Sequence, residues 1–282
     1  MFCQNCGYEA DTNIKFDPSL SMYECEQCNG WMYKSHDLIK LDEIYSKKYY
    51  SGHEYLNYEM GAEVYKSNFV RKLTKIKRSA SVDLNKEWRI LEIGCATGVF
   101  LQILKENGFD KLLGLEVSEY AREVAKNKGF KILNPLDETS IAKIKDFRPN
   151  IIIAWDVWEH LEESAITIEK IFEISDSEVI MALSTVDVSG VIPKIRKTSW
   201  RQFHPPSHIN YPSRKSFQYF FKKNGFDIIL LESFGYSRPL ADYLAVFLGP
   251  MKKVLCKFPI LFKIPLYLNL GDIQFVIAKK RN

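Results

Sequence analysis

Four cysteines near the start of the chain carry its most specific spacing. Cys3-x2-Cys6 and Cys25-x2-Cys28 form two knuckles eighteen residues apart. Each knuckle sets two thiolates on one side of a tight turn, and two knuckles complete a tetrahedron around one zinc ion. Four thiolates leave no coordination position open, so the expected zinc is structural. Gly7 and Gly30 follow the knuckles and are expected to take the left-handed turn conformation. A module of this kind serves as scaffold or as a grip on substrate or nucleic acid, and scaffold is the simpler expectation. Cys95 and Cys256 have no partner at metal spacing.

A second constellation begins at Arg89-Ile-Leu-Glu92-Ile-Gly94-Cys95-Ala96-Thr97-Gly98. An apolar strand runs straight into a tight turn and then a helix, whose first N–H groups lack intrahelical partners. The next apolar run ends in Glu116, close to twenty residues after Gly94. A carboxylate at that end of a strand accepts the hydroxyl hydrogens of a ribose. A dinucleotide-binding dehydrogenase would need G-x-G-x-x-G, whereas this turn reads E-x-G-x-x-x-G.

Further on, Asp156-Val-Trp158-Glu159-His160-Leu follows another apolar run, and residues 193–211 gather Arg196, Trp200, Arg201, His204, His208 and Tyr211. Two guanidinium groups suit a phosphate, and an indole suits stacking on a ring. A histidine suits proton transfer. Trp158 and Tyr211 are counted with Arg196, Trp200 and Arg201 as candidate substrate residues. His208, then His160 and His204, are the candidate general bases. A structural role for Glu159 and His160, at the start of a helical turn, stays open beside the catalytic one.

Leu91-Glu-Ile-Gly-Cys-Ala-Thr-Gly98, Gly114-Leu-Glu116-Val-Ser and Ile153-Ala-Trp-Asp-Val-Trp-Glu159-His160-Leu together resemble the class I S-adenosylmethionine-dependent methyltransferases over about residues 86–234. The resemblance departs at Ala96, where glycine is usual. It implies that Glu92, Gly94, Cys95, Ala96 and Gly98 surround the methionine part of the cofactor, with Asp156 lining that end. It further implies that Glu116 takes the ribose, that Val117 and Leu136 flank the adenine, and that Asp137 accepts from its amino group. The Asp156–Leu161 segment and Pro205-Pro-Ser-His208-Ile-Asn-Tyr-Pro-Ser213 resemble a D-V-x-E-H-L subgroup that often acts in polysaccharide and natural-product pathways. An O-methyltransferase acting on a sugar or phosphorylated precursor is therefore expected. The alternatives are a ribosomal RNA methyltransferase with a zinc module and a nucleotide-sugar C-methyltransferase. Asn-Pro-Pro-Tyr, an amine-methylating signature, is absent after the fourth strand, where Ala154-Trp-Asp-Val157 stands.

These residues need a frame. Seven strands are expected at 89–93, 111–116, 131–133, 151–155, 178–184, 227–234 and 274–279, alternating with helices, as in a doubly wound α/β sheet of parallel strands. The clearest helices are 98–107, 118–128 and 213–224, with Gly108, Gly129 and Gly225 as stops and Ser213 as a cap. The chain divides into a zinc module at 1–35, a helical connector or lid at 36–86, and the sheet domain at 87–282. In the connector, Ile44, Tyr45 and Tyr49 mark one helix and Val64, Phe69, Leu73 and Ile76 a second. Residues 185–212 and 236–271 break the alternation, and long insertions in such a fold are usually functional. The second of these, apolar and basic over 240–268, is expected to be intramolecular cover or a homodimer face, with weak membrane-surface contact as the alternative.

The chain has 282 residues, 46% of them hydrophobic, so a large core is affordable. A net charge of +4 is too small to argue for duplex nucleic acid and is compatible with a small phosphorylated substrate. No signal-like apolar stretch opens the chain, so the cytoplasm is expected, where six cysteines serve as ligands or free thiols.

Overall fold

The computed structural model describes residues 2–9, 14–18, 20–33, 58–79, 87–205, 207–248 and 254–281. The expected helix around Ile44 to Tyr49 lies outside them. The N-terminal strands are β1 (Ile14–Asp17), β2 (Met22–Cys25) and β3 (Trp31–Met32), followed by a long helix α1 (Tyr58–Ser79). The main domain then runs β4 (Ile90–Ile93), α2 (Val99–Glu106), β5 (Leu112–Leu115), α3 (Glu119–Asn127), β6 (Lys131–Leu133), α4 (Thr139–Phe147) and β7 (Ile151–Trp155). After it come α5 (Ser164–Glu173), β8 (Ile180–Val186), α6 (Val191–Arg196), β9 (Asn210–Tyr211), α7 (Arg214–Lys223) and β10 (Phe226–Ser233). The last elements are β11 (Tyr236–Pro239), α8 (Leu240–Leu248), α9 (Ile260–Lys263), β12 (Pro265–Leu268) and β13 (Ile273–Lys280).

All seven expected strands form one sheet, in the order β10-β13-β8-β7-β4-β5-β6. The sheet is mixed rather than parallel, because β13 runs antiparallel to both β8 and β10. Nothing in a buried apolar run such as Phe275-Val-Ile-Ala278 encodes its direction; both faces of β13 are covered, so its residues read like those of a parallel strand. Apolar residues on the two faces make two cores, one holding Phe100, Trp155 and Phe275, the other Trp158, Phe172 and Phe217. The strand order reverses at β4: β5 and β6 lie on one side, β7 and β8 on the other. A crevice at the carboxyl ends of β4 and β7 is the ligand position such a topology creates.

Two additions flank that end of the sheet. The first is the cysteine module. Its sheet, β1-β2-β3, takes a fourth strand, β9, from the loop before α7, with Trp31 opposite Tyr211 and Met32 opposite Asn210. Tyr33 N–H also donates to the Ile209 carbonyl at 2.7 Å. Leu20, Met22 and Trp31 join the main core rather than forming their own.

The second is α1, joined by the insertion after β10. β11 and β12 form an antiparallel hairpin, and Asn68 on α1 bonds Ser237 in both directions, at 2.9 and 2.7 Å. Arg71 donates to the Gly235 carbonyl at 3.0 Å and lies over the Tyr267 ring. Within this insertion Ala241, Leu255 and Phe262 are buried, while Phe258, Ile260 and Tyr267 stay exposed. No helix among the described residues is long and apolar enough to cross a membrane.

Candidate active site

The turn after β4 is built from backbone. Gly94 and Cys95 N–H groups both donate to the Leu115 carbonyl, at 2.8 and 3.0 Å. Gly94 has φ +67°, and a Cβ there would meet Val157 Cγ2 at 2.5 Å, so only glycine lets this turn lie against the one after β7. Ala96 adopts φ 47°, the left-handed region, although it carries a Cβ. Cys95 is buried core, its Sγ packed where a Cβ on Gly114 would sit.

Two carboxylates frame this turn. Glu116 accepts from Ala96 N–H and Ser118 N–H, each at 2.8 Å, one on each oxygen. Burial pushes its carboxyl up, and the backbone donors at Ser118 and Ala96 pull it back. Glu92, on β4, is buried, and its Oε2 has no hydrogen-bond partner among the described residues. Burial pushes the Glu92 carboxyl well above the usual range, against the pull of Lys72. On the rim, Leu136 is 68% exposed and Val117 half-buried. Asp137 accepts from Asn134 Nδ2 at 3.1 Å.

Asp156 follows β7 with φ 54° and sits in a closed network. Tyr236 hydroxyl lies 2.6 Å from its Oδ2, Ser184 hydroxyl donates to Oδ1 at 2.9 Å, and Lys72 Nζ stands 3.4 Å away. Lys72 is fully buried and also donates to Ser184 Oγ at 2.8 Å. Its ammonium lies 4.7 Å from the Trp155 ring centre. Burial lowers its pKa, with Asp156 opposing. The sequence reading missed Lys72, Ser184 and Tyr236. A signal for Lys72 was present: Val64, Asn68, Lys72 and Ile76 fall at four-residue steps, which puts a lysine on the buried stripe of α1.

The turn after Asp156 is a single 3₁₀ turn, Trp158–His160. Glu159 is buried and accepts from Thr185 Oγ1 at 2.7 Å. Its burial, with Asp156 nearby, raises its pKa to about 8. The loop before β9 lies on this turn: Ile209 N–H donates to the Glu159 carbonyl at 2.8 Å, and Asn210 Nδ2 to the Leu161 carbonyl at 2.5 Å. This brings the three candidate histidines together. The His160 and His208 rings are 4.7 Å apart and nearly perpendicular, and His204 is 5.4 Å from His208. Burial, then His160, lowers His208 to about 3, so it is neutral at pH 7. A group so weakly basic is poorly matched to general-base work near neutrality, which counts against the first-choice role expected for it.

The aromatic substrate residues sit elsewhere than expected. Trp158 is 2% exposed and packs edge-on against Phe217 and Phe220. Trp200 is equally buried, its indole N–H donating to Asp272 at 2.9 Å. Neither ring has a face open to stack on a ligand. Tyr211 is buried as well, and its hydroxyl donates to the His208 carbonyl at 3.1 Å, so it braces the loop. Arg201 is committed to Asp272 through two nitrogens, at 3.1 and 3.2 Å. Arg196, at the end of α6, is exposed.

The four knuckle cysteines are buried, and their sulfurs lie within 4.8 Å of one another. Both knuckles fold alike. The residue four after the first cysteine donates its N–H to that cysteine's carbonyl, Gly7 to Cys3 at 2.9 Å and Asn29 to Cys25 at 2.7 Å. Those two residues are the left-handed ones, so the second knuckle uses Asn29 (φ 59°) rather than Gly30. Asparagine tolerates that conformation through its short polar side chain. Gly30 is needed for space instead: a Cβ there would lie 2.8 Å from Asn5 Nδ2.

Comparison with solved structures finds the same fold at low identity. A S-adenosylmethionine-dependent methyltransferase from Archaeoglobus fulgidus matches with TM-score 0.50 and 16% identity, over 79% of this chain and 99% of that one. Magnesium protoporphyrin IX methyltransferase from Synechocystis PCC 6803, with bound S-adenosylhomocysteine, matches with TM-score 0.53 and 12% identity, over 86% and 98%. The plantazolicin methyltransferase BpumL, in complex with S-adenosylhomocysteine, matches with TM-score 0.50 and 14% identity, over 84% and 93%. No curated protein matches the chain in sequence. A family model described as a methyltransferase domain matches residues 61–231, more than half of the chain. The chain belongs to that family and is a S-adenosylmethionine-dependent methyltransferase.

Proposed function

We propose that the protein methylates a hydroxyl oxygen of a polar small molecule, a sugar or phosphorylated precursor used in surface-polysaccharide or natural-product assembly in the cytoplasm. The observation that carries this reading is the gathering of His160, His204 and His208 beside Glu159, on the turn that follows β7 and the loop that packs on it. Imidazoles and carboxylates suit a hydroxyl acceptor, which must lose a proton as it is methylated. The acceptors named for the structural relatives, a porphyrin and plantazolicin, differ so widely that the shared fold favours none of them.

The residues present fit the cofactor. Glu92 Oε2, without a partner among the described residues, is an acceptor that suits a donor such as an ammonium. Each Glu116 oxygen spends one lone pair on a backbone N–H and keeps another for a ribose hydroxyl. The exposed Leu136 and half-buried Val117 offer apolar surface for a flat base to cover. Gly94 and Gly98, with Cys95 and Ala96 between them, keep side-chain bulk out of the turn. When bound, S-adenosylmethionine supplies a sulfonium methyl group and a good leaving group. The protein's part is alignment of the acceptor and removal of its proton. Cys3, Cys6, Cys25 and Cys28 hold one structural zinc in this reading.

The test is a panel of nucleotide sugars and phosphorylated sugars, with S-adenosylhomocysteine formation as readout. Transfer to a hydroxyl is expected; transfer confined to amines would overturn the reading. With the acceptor in hand, whichever of His160, His204 and His208 serves as base is the ring whose replacement by Asn slows turnover by about 10²–10⁴ while S-adenosylhomocysteine affinity is retained.

A further inference from the structure

Glu159, His160 and His208 make a cluster whose parts the methyl-transfer reading uses only singly. One ligand atom from each lies within 4.8 Å of the other two. They come from two segments, the turn after β7 and the loop before β9, and the fold clamps these together through the Ile209–Glu159 and Asn210–Leu161 hydrogen bonds.

The surroundings of each residue are those of a metal ligand. His160 Nδ1 is 2.7 Å from the Ser207 carbonyl, and His208 Nδ1 is 2.9 Å from the Gln202 carbonyl. A carbonyl only accepts, so both contacts put the ring proton on Nδ1 and make Nε2 the basic nitrogen. Metal-binding histidines characteristically donate their other ring N–H to such an outer partner. The Glu159 carboxylate is oriented in the same manner, by the Thr185 hydroxyl on Oε2. Asp156, by contrast, is committed to Tyr236, Ser184 and Lys72 and stands outside the set.

We propose that Glu159, His160 and His208 bind one divalent cation of the first transition row at the acceptor end of the crevice, leaving coordination positions for acceptor oxygens. Two imidazole nitrogens and one carboxylate oxygen suit manganese, iron, cobalt or zinc better than calcium. Ligands about 2.0–2.2 Å from an ion lie about 3.0–3.6 Å from each other, so atoms within 4.8 Å of one another must draw together by about 1 Å to close on an ion. The role of the ion rests on the oxygen-acceptor reading. A coordinated hydroxyl loses its proton far more readily than a free one, so solvent water can take that proton and no strongly basic side chain is required. The acceptor class this favours carries two neighbouring oxygens that chelate, as in a vicinal diol or a hydroxy acid.

The test needs no acceptor. Titration of the full-length, zinc-loaded chain with Mn²⁺, followed by the paramagnetic resonance of the free ion, reads this site and not the thiolate one, because Mn²⁺ prefers oxygen and nitrogen ligands. One saturable Mn²⁺ per chain is expected. Glu159→Gln and His208→Gln should each weaken it by about tenfold or more while S-adenosylhomocysteine affinity stays within twofold. Non-saturable Mn²⁺ uptake would overturn the proposal, and so would saturable binding that both variants leave unchanged. Variant-sensitive Mn²⁺ binding in a protein that methylates only amines would uphold the site and overturn the oxygen-acceptor reading.

Discussion

At the scale of single residues, the cofactor turn shows how a departure from an expected pattern is absorbed. Ala96 stands where glycine is usual and still adopts φ 47°. Its N–H must point at Glu116, and the 2.8 Å bond between them holds the backbone in the left-handed region. That conformation costs an alanine about 1–2 kcal/mol, and glycine would give back part of the gain as unfolded-state entropy. Ala96→Gly should therefore raise stability by about 0.5–1 kcal/mol, seen as a higher midpoint in denaturant unfolding, with cofactor affinity unchanged. An equal or lower midpoint would show that the turn is not strained at Ala96. Glu116 carries the opposite expectation. Glu116→Ala removes a charged acceptor for ribose and also frees two backbone donors, so S-adenosylhomocysteine binding should weaken by about 1.5–3 kcal/mol in calorimetry. Unchanged affinity would remove Glu116 from the ribose site.

At the scale of elements, the cysteine module and the loop at 200–213 are one structure. β9 is the fourth strand of the module's sheet, and Ser213, the cap of α7, also donates its hydroxyl to the Cys28 carbonyl. The same loop carries His204 and His208 and clamps the turn bearing Glu159 and His160. Loss of the module should thus be felt at the chemistry. Cys25→Ser should speed amide exchange over residues 209–213 and slow turnover by about tenfold to a hundredfold, since small misplacements of aligned groups have effects of that size. Cofactor affinity should persist, because β4, β5 and their turns belong to a different sheet from the module and β9. Unaltered exchange at Ile209–Ser213 would break the link. The strands and the knuckles were legible because each is a local pattern: a buried apolar run, or two cysteines at fixed spacing. The pairing of Trp31 with Tyr211 joins residues 180 apart in sequence, and a two-residue strand has no periodicity to read. Trp158 and Trp200 misled for a related reason, since an indole in a polar loop looks like a stacking surface until the core it enters is known.

At the scale of the whole molecule, the two additions reach neighbouring parts of the site, the turn after β7 and Asp156. The module braces the histidine loop, while α1, with the β11–β12 hairpin behind it, reaches Asp156 through Lys72 and Tyr236. Lys72 is the clearest measure of that second brace. Its ammonium is buried among Trp155, Phe69, Phe234 and Tyr236 and meets Asp156 and Ser184. Burying an ammonium is expensive, and replacement of a buried ion-pair member by an apolar side chain of similar length also removes that desolvation cost. Asp156 is not stranded by the change, because its carboxylate is partly exposed and retains Tyr236 and Ser184. Lys72→Met should therefore leave folding stability within about 1–2 kcal/mol of the wild type. What it removes is the charge that ties α1 to Asp156. If that tie orients Asp156 at the crevice, cofactor affinity or turnover should fall by about tenfold, the equivalent of about 1.4 kcal/mol, while the unfolding midpoint hardly moves. Stability lost in full with activity per folded molecule unchanged would mean that Lys72 is a packing element of α1 and nothing more. The two outcomes separate cleanly when denaturant unfolding and calorimetric S-adenosylhomocysteine binding are measured on the same preparation.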